Sequence, residues 1–226
     1  MPLSSGQEGT TTNRVLNQLQ YAISNVAADI TTGATGDKLL FVDVSDNYAI
    51  KYGDADNISE VMAGTTTMSK GAGVSAMETY AASVATNGGL KVTRIMVDLT
   101  GLVGSATDVD IIGNTGGATS AHVGQVTAAV NGTIVGGRVT CLEVPAGGAT
   151  DIDFYSANES TGAQDALVTS LTETVLITAG GAWTSGAVKG MTTVPPANDY
   201  LYITNGAGAA GGTFTAGKFL IELYGT

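Results

Sequence analysis

Residues 87–226 predict a mainly β protein, with a jelly-roll-like antiparallel β-sandwich in the C-terminal part. An N-terminal arm, a short amphipathic helix and a small β hairpin precede it. Two observations carry this. Short runs rich in Val, Ile, Thr and aromatic residues alternate between polar and apolar positions, the pattern of half-buried strands. Turn signals separate the runs at short intervals: Gly113-Asn-Thr-Gly-Gly117, Asn131-Gly132, Ala146-Gly-Gly148, Gly180-Gly181, Pro195-Pro196 and Gly206–Gly212. A chain of 226 residues with 43% hydrophobic residues can bury a core without staples.

The elements follow in order. Residues 1–12 are small and polar and read as an extended arm. Leu16, Leu19, Ile23, Val26 and Ile30 are spaced 3, 4, 3 and 4, an apolar helical stripe. Thr11 or Thr12 caps its start and Gly33 ends it. The stripe serves either packing within its own domain or self-association and docking. Lys38–Val44 and Asn47–Tyr52 read as strands joined at Ser45-Asp46, a hairpin. From Ala63 to Gly89 the chain is Gly, Thr, Ser and Ala, with a short helix at Ala76–Val84. Strands then fit Leu90–Leu99, Asp108–Ile112, Ala121–Val130, Thr133–Val144, Asp151–Ser156, Thr174–Thr178, Ala187–Thr192, Tyr200–Thr204 and Lys218–Tyr224. Asn131-Gly132 between two alternating runs predicts a type I′ hairpin. Gln164–Leu171 fits a short helix on a crossover. Three parts result: 1–32, attachment or oligomerisation; 33–86, hairpin and connector; 87–226, sandwich.

Charge is scarce. Asp, Glu, Lys and Arg make up 13% of the chain, against roughly 25% in an average domain. So weakly hydrated a surface favours coverage by copies of the chain or by a partner. The net charge of −11 argues against nucleic acid and against anionic membranes as partners. No apolar run is long enough to span a membrane as a helix, and the first residues lack the features of a signal peptide, so synthesis in a cytoplasm is expected. Cys141, the lone cysteine, lies in the apolar run Val139–Val144 and reads as a buried small hydrophobe.

Candidate chemistry resolves into structure at each position. Gly212-Thr-Phe-Thr-Ala-Gly217-Lys218-Phe219 has the glycine and lysine spacing of a phosphate loop. Phe219 stands where that loop needs Ser or Thr, and an alternating strand follows where it needs a helix. His122 is the only histidine, without a zinc cluster or a nucleophile elbow, and reads as a surface or interface residue. Asp108 with Asp110, and Asp151 with Asp153, are i, i+2 pairs on one strand face. They suit a Ca²⁺ ion or an acid–base pair, but alternation with Val109, Ile111, Ile152 and Phe154 favours solvent-facing positions. Neither a cofactor, a metal nor a catalytic residue is expected. Trp183, Tyr155, Tyr200, Tyr202 and Tyr224 read as core or interface packing before sugar stacking.

Gly36-Asp-Lys-Leu-Leu-Phe-Val-Asp-Val-Ser-Asp-Asn-Tyr-Ala-Ile-Lys-Tyr-Gly-Asp-Ala-Asp-Asn57 resembles a segment of tailed-phage virion proteins that joins an attachment part to a β-rich head. Thr215-Ala-Gly-Lys-Phe-Leu-Ile-Glu-Leu-Tyr-Gly225 resembles the last strand of jelly-roll decoration or fibre proteins of marine phages. The resemblance implies a phage particle surface and a homo-oligomer, a trimer in such families. It further implies a partner in the major capsid protein or another virion protein, and no active site. Leu16, Leu19, Ile23, Val26 and Ile30 would then serve self-association or capsid docking. The expected function is a capsid decoration (cement) protein. The alternative is a head-fibre or tail adhesin binding a host glycan through loops such as Gly113–Ser120 and Gly206–Gly212.

Overall fold

The computed structural model describes residues 38–43, 49–54 and 68–226, apart from Ala118, Ala179 and Ala209. The chain divides into two compact units, Met1–Gly64 and Thr65–Thr226. In the first, β1 (Lys38–Asp43) and β2 (Ala49–Asp54) pair antiparallel from Lys38↔Asp54 to Asp43↔Ala49, so the expected hairpin is present. The expected arm and the stripe Leu16, Leu19, Ile23, Val26 and Ile30 lie outside the described residues.

The second unit is an antiparallel β-sandwich. β3 (Tyr80–Asn87), β4 (Leu90–Asp98), β7 (Ile134–Ala146), β10 (Val188–Gly190) and β13 (Ala216–Gly225) form a five-stranded sheet in the order β10-β7-β13-β4-β3. β6 (Gly124–Gln125), β8 (Ile152–Ala157), β9 (Glu173–Ile177) and β11 (Tyr200–Asn205) form a four-stranded sheet in the order β6-β11-β8-β9. β5 (Val103–Gly104) and β12 (Gly212–Thr213) make a separate two-stranded ribbon.

Alternation along the strands produces the core. On β4 and β13 the residues Ile95, Val97, Phe219, Ile221 and Leu223 are fully buried, joined by Val139 and Cys141 of β7. Ile152, Phe154, Leu201 and Ile203 of the smaller sheet are buried as well. The sheets are tied together by three aromatic rings. Phe219 of β13 lies 5.5 Å from Phe154 of β8 and 5.3 Å from Trp183, and Phe154 lies 6.2 Å from Trp183, all edge to face. That geometry sets the positive edge of one ring on the negative face of the next. The indole Nε1 donates to the Ile152 carbonyl at 2.8 Å, so the buried Trp183 leaves no polar atom unsatisfied.

Several local expectations are corrected. The helix expected at Ala76–Val84 is a single 3-10 turn at Ala72–Val74 followed by β3, which pairs with β4 along its whole length. Alanine has the highest helix propensity, but intrinsic propensity is a weak determinant, and pairing with a strand of the core overrides it. The sheet thereby takes in residues that read as connector. Gly88 and Gly89 close β3 onto β4 with φ of 59° and 90°, the two-residue turn with positive φ at both positions that a tight hairpin demands. The same turn expected at Asn131-Gly132 is absent. Asn131 ends one helical turn, α1 (Ala128–Asn131), capped by the Thr127 hydroxyl, and Gly132 follows it with φ 77°. Asn131 is buried: its Nδ2 donates to Thr93 Oγ1 at 2.8 Å and its Oδ1 accepts from the Thr127 N–H. The strand expected over Ala121–Val130 shrinks to β6 for that reason. Gln164–Leu171 holds only a 3-10 turn at Val168–Ser170. Asp108–Ile112 is no continuous strand, yet it runs along β11: Val109 N–H donates to Asn205 O and Ile112 N–H to Ile203 O, both at 2.9 Å.

Removing the central indole tests the role of the aromatic cluster. Trp183→Ala is expected to cost about 3–5 kcal/mol. Trp183→Phe, which keeps a ring but loses the Ile152 hydrogen bond, is expected to cost about 1–3 kcal/mol. Urea unfolding of both variants checks the order.

Candidate functional site

Among the described residues, the outer face of the five-stranded sheet sets exposed side chains such as Arg94 and Val188 beside the buried carboxylates Asp98 and Glu222. Side chains alternate across a strand, so every second residue of β4, β13 and β7 points away from the core. Register brings these residues into rows. One row is Asp98 of β4, Lys218 of β13 and Glu143 of β7. The next is Ala81, Met96, Leu220, Thr140 and Val188, one residue from each of the five strands. The third is Ser83, Arg94, Glu222, Arg138 and Gly190. Val188 is 54% exposed, and Leu142, outward by the same alternation, is 44% exposed; the β7–β13 register shift is what sets Glu143 beside Lys218. An apolar row thus runs between two charged rows.

Each charged row is a cross-strand network. Glu222 sits between two guanidiniums: Arg138 Nε lies 2.6 Å from Oε2 and Arg94 Nε 3.1 Å from Oε1. Burial pushes the Glu222 carboxyl up, but hydrogen bonds from Arg138 and then Arg94 outweigh it and hold the group below its ordinary range. Its hydrogen bond and charge in turn raise the Arg138 guanidinium. In the other row Lys218 Nζ lies 2.7 Å from Glu143 Oε2 and 3.2 Å from Asp98 Oδ2. The Asp98 contact is an ion pair without hydrogen-bond alignment, leaving Oδ2 held by charge alone. Burial pushes the Asp98 carboxyl up, yet the Thr100 hydrogen bonds and Lys218 bring it below its ordinary value. Lys218 lowers Glu143 through its hydrogen bond, and Glu143 raises Lys218.

The candidates from sequence fall elsewhere. Lys218 is an ion-paired strand residue of β13, in accord with reading the phosphate-loop spacing as chance. Cys141 is buried and burial pushes its thiol up. Half-buried His122 packs against Tyr200 with ring centroids 4.8 Å apart and planes tilted by 56°, and burial lowers its imidazole. The carboxylate pairs are corrected. Asp108 is exposed, but Asp110, Asp151 and Asp153 are only 4%, 5% and 6% exposed. Alternation implies solvent on one face of β8; both faces of β8 are buried. Asp110 accepts from the Ser105 hydroxyl at 2.5 Å, and Gly206 packs its α-carbon against the Asp151 carboxyl. No group of three His, Cys, Asp or Glu side chains among the described residues could hold a metal ion. Trp183, Tyr155 and Tyr202 are buried, and Tyr200 and Tyr224 are half-buried. The loop after Gly113 is tied inward by Asn114, which bonds Ala72 O, Ser75 Oγ and the Ala76 N–H.

The outer sheet face is not visible in the sequence. Alternation alone marks which strand residues point outward, but the rows exist only once register is known, and the residues of β3 read as helix.

No family model, curated protein or solved structure matches the chain.

The carboxyls give a pH prediction. Asp98, Glu143 and Glu222 titrate below their ordinary values when folded, so their contribution is fully present above those values and is lost as pH falls through the folded ones. Stability is expected to drop on acidification below pH 4.5, the ordinary value for Glu222. Glu222→Gln is expected to flatten that acid limb, measured by urea unfolding across pH.

Proposed function

We propose that the chain is a structural, non-enzymatic protein of a phage virion: a capsid decoration protein that binds the assembled head and stabilises it, as a homo-oligomer. The observation that carries this reading is the outer sheet face, a broad surface of apolar and ion-paired rows suited to lying against another protein. The low charge of the chain supports it, since covered surface needs few hydrated groups. The phage setting rests on the resemblance of residues 36–57 and 215–225. Residues 1–32, with the stripe Leu16, Leu19, Ile23, Val26 and Ile30, supply the attachment and the trimer contacts. The major capsid protein is the partner.

The mechanism is thermodynamic. A protein that binds only the assembled shell stabilises that shell by mass action, without chemistry. Added interface area then resists internal pressure. The adhesin alternative places a glycan on the loops at Gly113–Ser120 and Gly206–Gly212. Asn114 ties the first loop down, and the second has no aromatic side chain to stack on a sugar.

Deleting residues 1–32 is expected to abolish binding to empty heads in a co-sedimentation assay while the near-ultraviolet signal of Trp183 stays unchanged. Decoration by the truncated protein sinks the attachment role. A specific hit on a glycan array would move the function to the adhesin.

A further inference from the structure

We infer that the outer face of the five-stranded sheet docks on the same face of a second copy of the chain, about a two-fold axis running along the row Ala81–Met96–Leu220–Thr140–Val188. The inference rests on reading that face as a protein-docking surface, and it names the partner.

Charge and register select the partner. Two sheet faces pack about 10 Å apart. A two-fold axis lying between them and across the strands keeps each strand over its own copy and reverses its direction. The apolar row then meets itself. The row on one side of the axis meets the row from the other side. By register Asp98 comes to lie opposite Arg94 of the second copy, Lys218 opposite Glu222, and Glu143 opposite Arg138; Asp98 and Glu222 are only 1% and 5% exposed, so Glu143 with Arg138 is the pair between exposed groups. All three facing pairs are opposite in sign. Within one sheet the rows read minus, plus, minus and plus, minus, plus, so net charges of −1 and +1 face each other. An isologous interface requires this self-complementarity: residue i meets j, and j meets i.

Other arrangements lose it. A half-turn about an axis along the strands lays β4 over β7 and each charged row over its own copy. Lys218 then meets Lys218 and Glu222 meets Glu222, like charges face to face. Sliding the faces by one row sets charge over the apolar row.

Reach and area are adequate. Arg and Lys side chains span much of the gap from a strand to a facing sheet while their stems cover apolar surface. Four strands over about 23 Å and the three residues of β10 over about 10 Å give roughly 490 Å² per copy, about 1,000 Å² over both. That lies at the roughly 1,000 Å² floor for a specific interface. A weak, micromolar pairing is expected, one that becomes effective where copies are held close together, as on a particle.

Sedimentation of the full chain over a range of concentrations and salt tests this. The expected result is an association step that doubles the mass and weakens as salt rises. Leu220→Lys places two like charges on the axis, and Val188→Lys does so at its exposed end. Each is expected to raise the dissociation constant at least about tenfold, with the near-ultraviolet spectrum unchanged. Val188→Lys guards against misfolding, because Val188 is exposed. Absence of a doubling step, or one that Leu220→Lys leaves unchanged, overturns the inference. So does a non-associating chain whose melting temperature falls on Val188→Lys, since its own residues would then cover the face. If Leu220→Lys blocks binding to heads but not self-association, a virion neighbour occupies the face. The inference then fails and the proposed function stands. Self-association that Leu220→Lys weakens, without any binding to heads, upholds the inference and removes the proposed function.

Discussion

Everything in the sandwich depends on how Phe154, Trp183 and Phe219 hold two sheets against each other. One ring comes from each sheet and the third from a loop between β9 and β10. Their edge-to-face contacts fill the gap with shape that aliphatic side chains alone would not fix. Phe219 lies on β13, paired to β4 on one side and β7 on the other, so the ring cluster grips the middle of the larger sheet. With the sheets locked at that depth, alternation decides the rest. Residues flanking Phe219 must point outward, and these are Lys218 and Leu220.

The outer face is therefore a by-product of the core that has acquired its own order. Leaving Glu222 nearly buried between Arg94 and Arg138 places a charge where water is scarce, which costs free energy unless partners surround it. Two guanidiniums supply those partners. Isolated exposed ion pairs contribute little to stability, whereas networks of three around a nearly buried carboxylate hold neighbouring strands together. They are well suited to specifying which surface lies opposite.

The fold class was legible because its strongest signals are local. Alternation over Leu90–Leu99, Thr133–Val144 and Lys218–Tyr224 follows from one face on the core and one facing out, and each of these runs is a strand. Where both faces are covered the signal fails, as at Asp151 and Asp153, beside and within a strand, β8, that is buried on both sides. The two hairpin glycine signals show a different limit. Asn131-Gly132 and Gly88-Gly89 both offer a turn, but only the second joins paired strands; the first follows a helical turn that Thr127 caps and Thr93 anchors. Such distant partners cannot be seen in a window of a few residues. The candidate face was hidden for the same reason, since Arg94, Glu222 and Arg138 are far apart along the chain and meet only through register.

The position of β13 also governs when the fold can form. It is the last strand of the sandwich along the chain and the central one of its larger sheet. Before it arrives, β3 and β4 form one hairpin and β7 pairs with β10, and nothing in that sheet joins the two pieces. Long-range pairing of this kind is slow, because loop closure precedes any gain from contact. During synthesis the sandwich stays open until the residues through Gly225 have emerged, while the β1–β2 hairpin is complete long before.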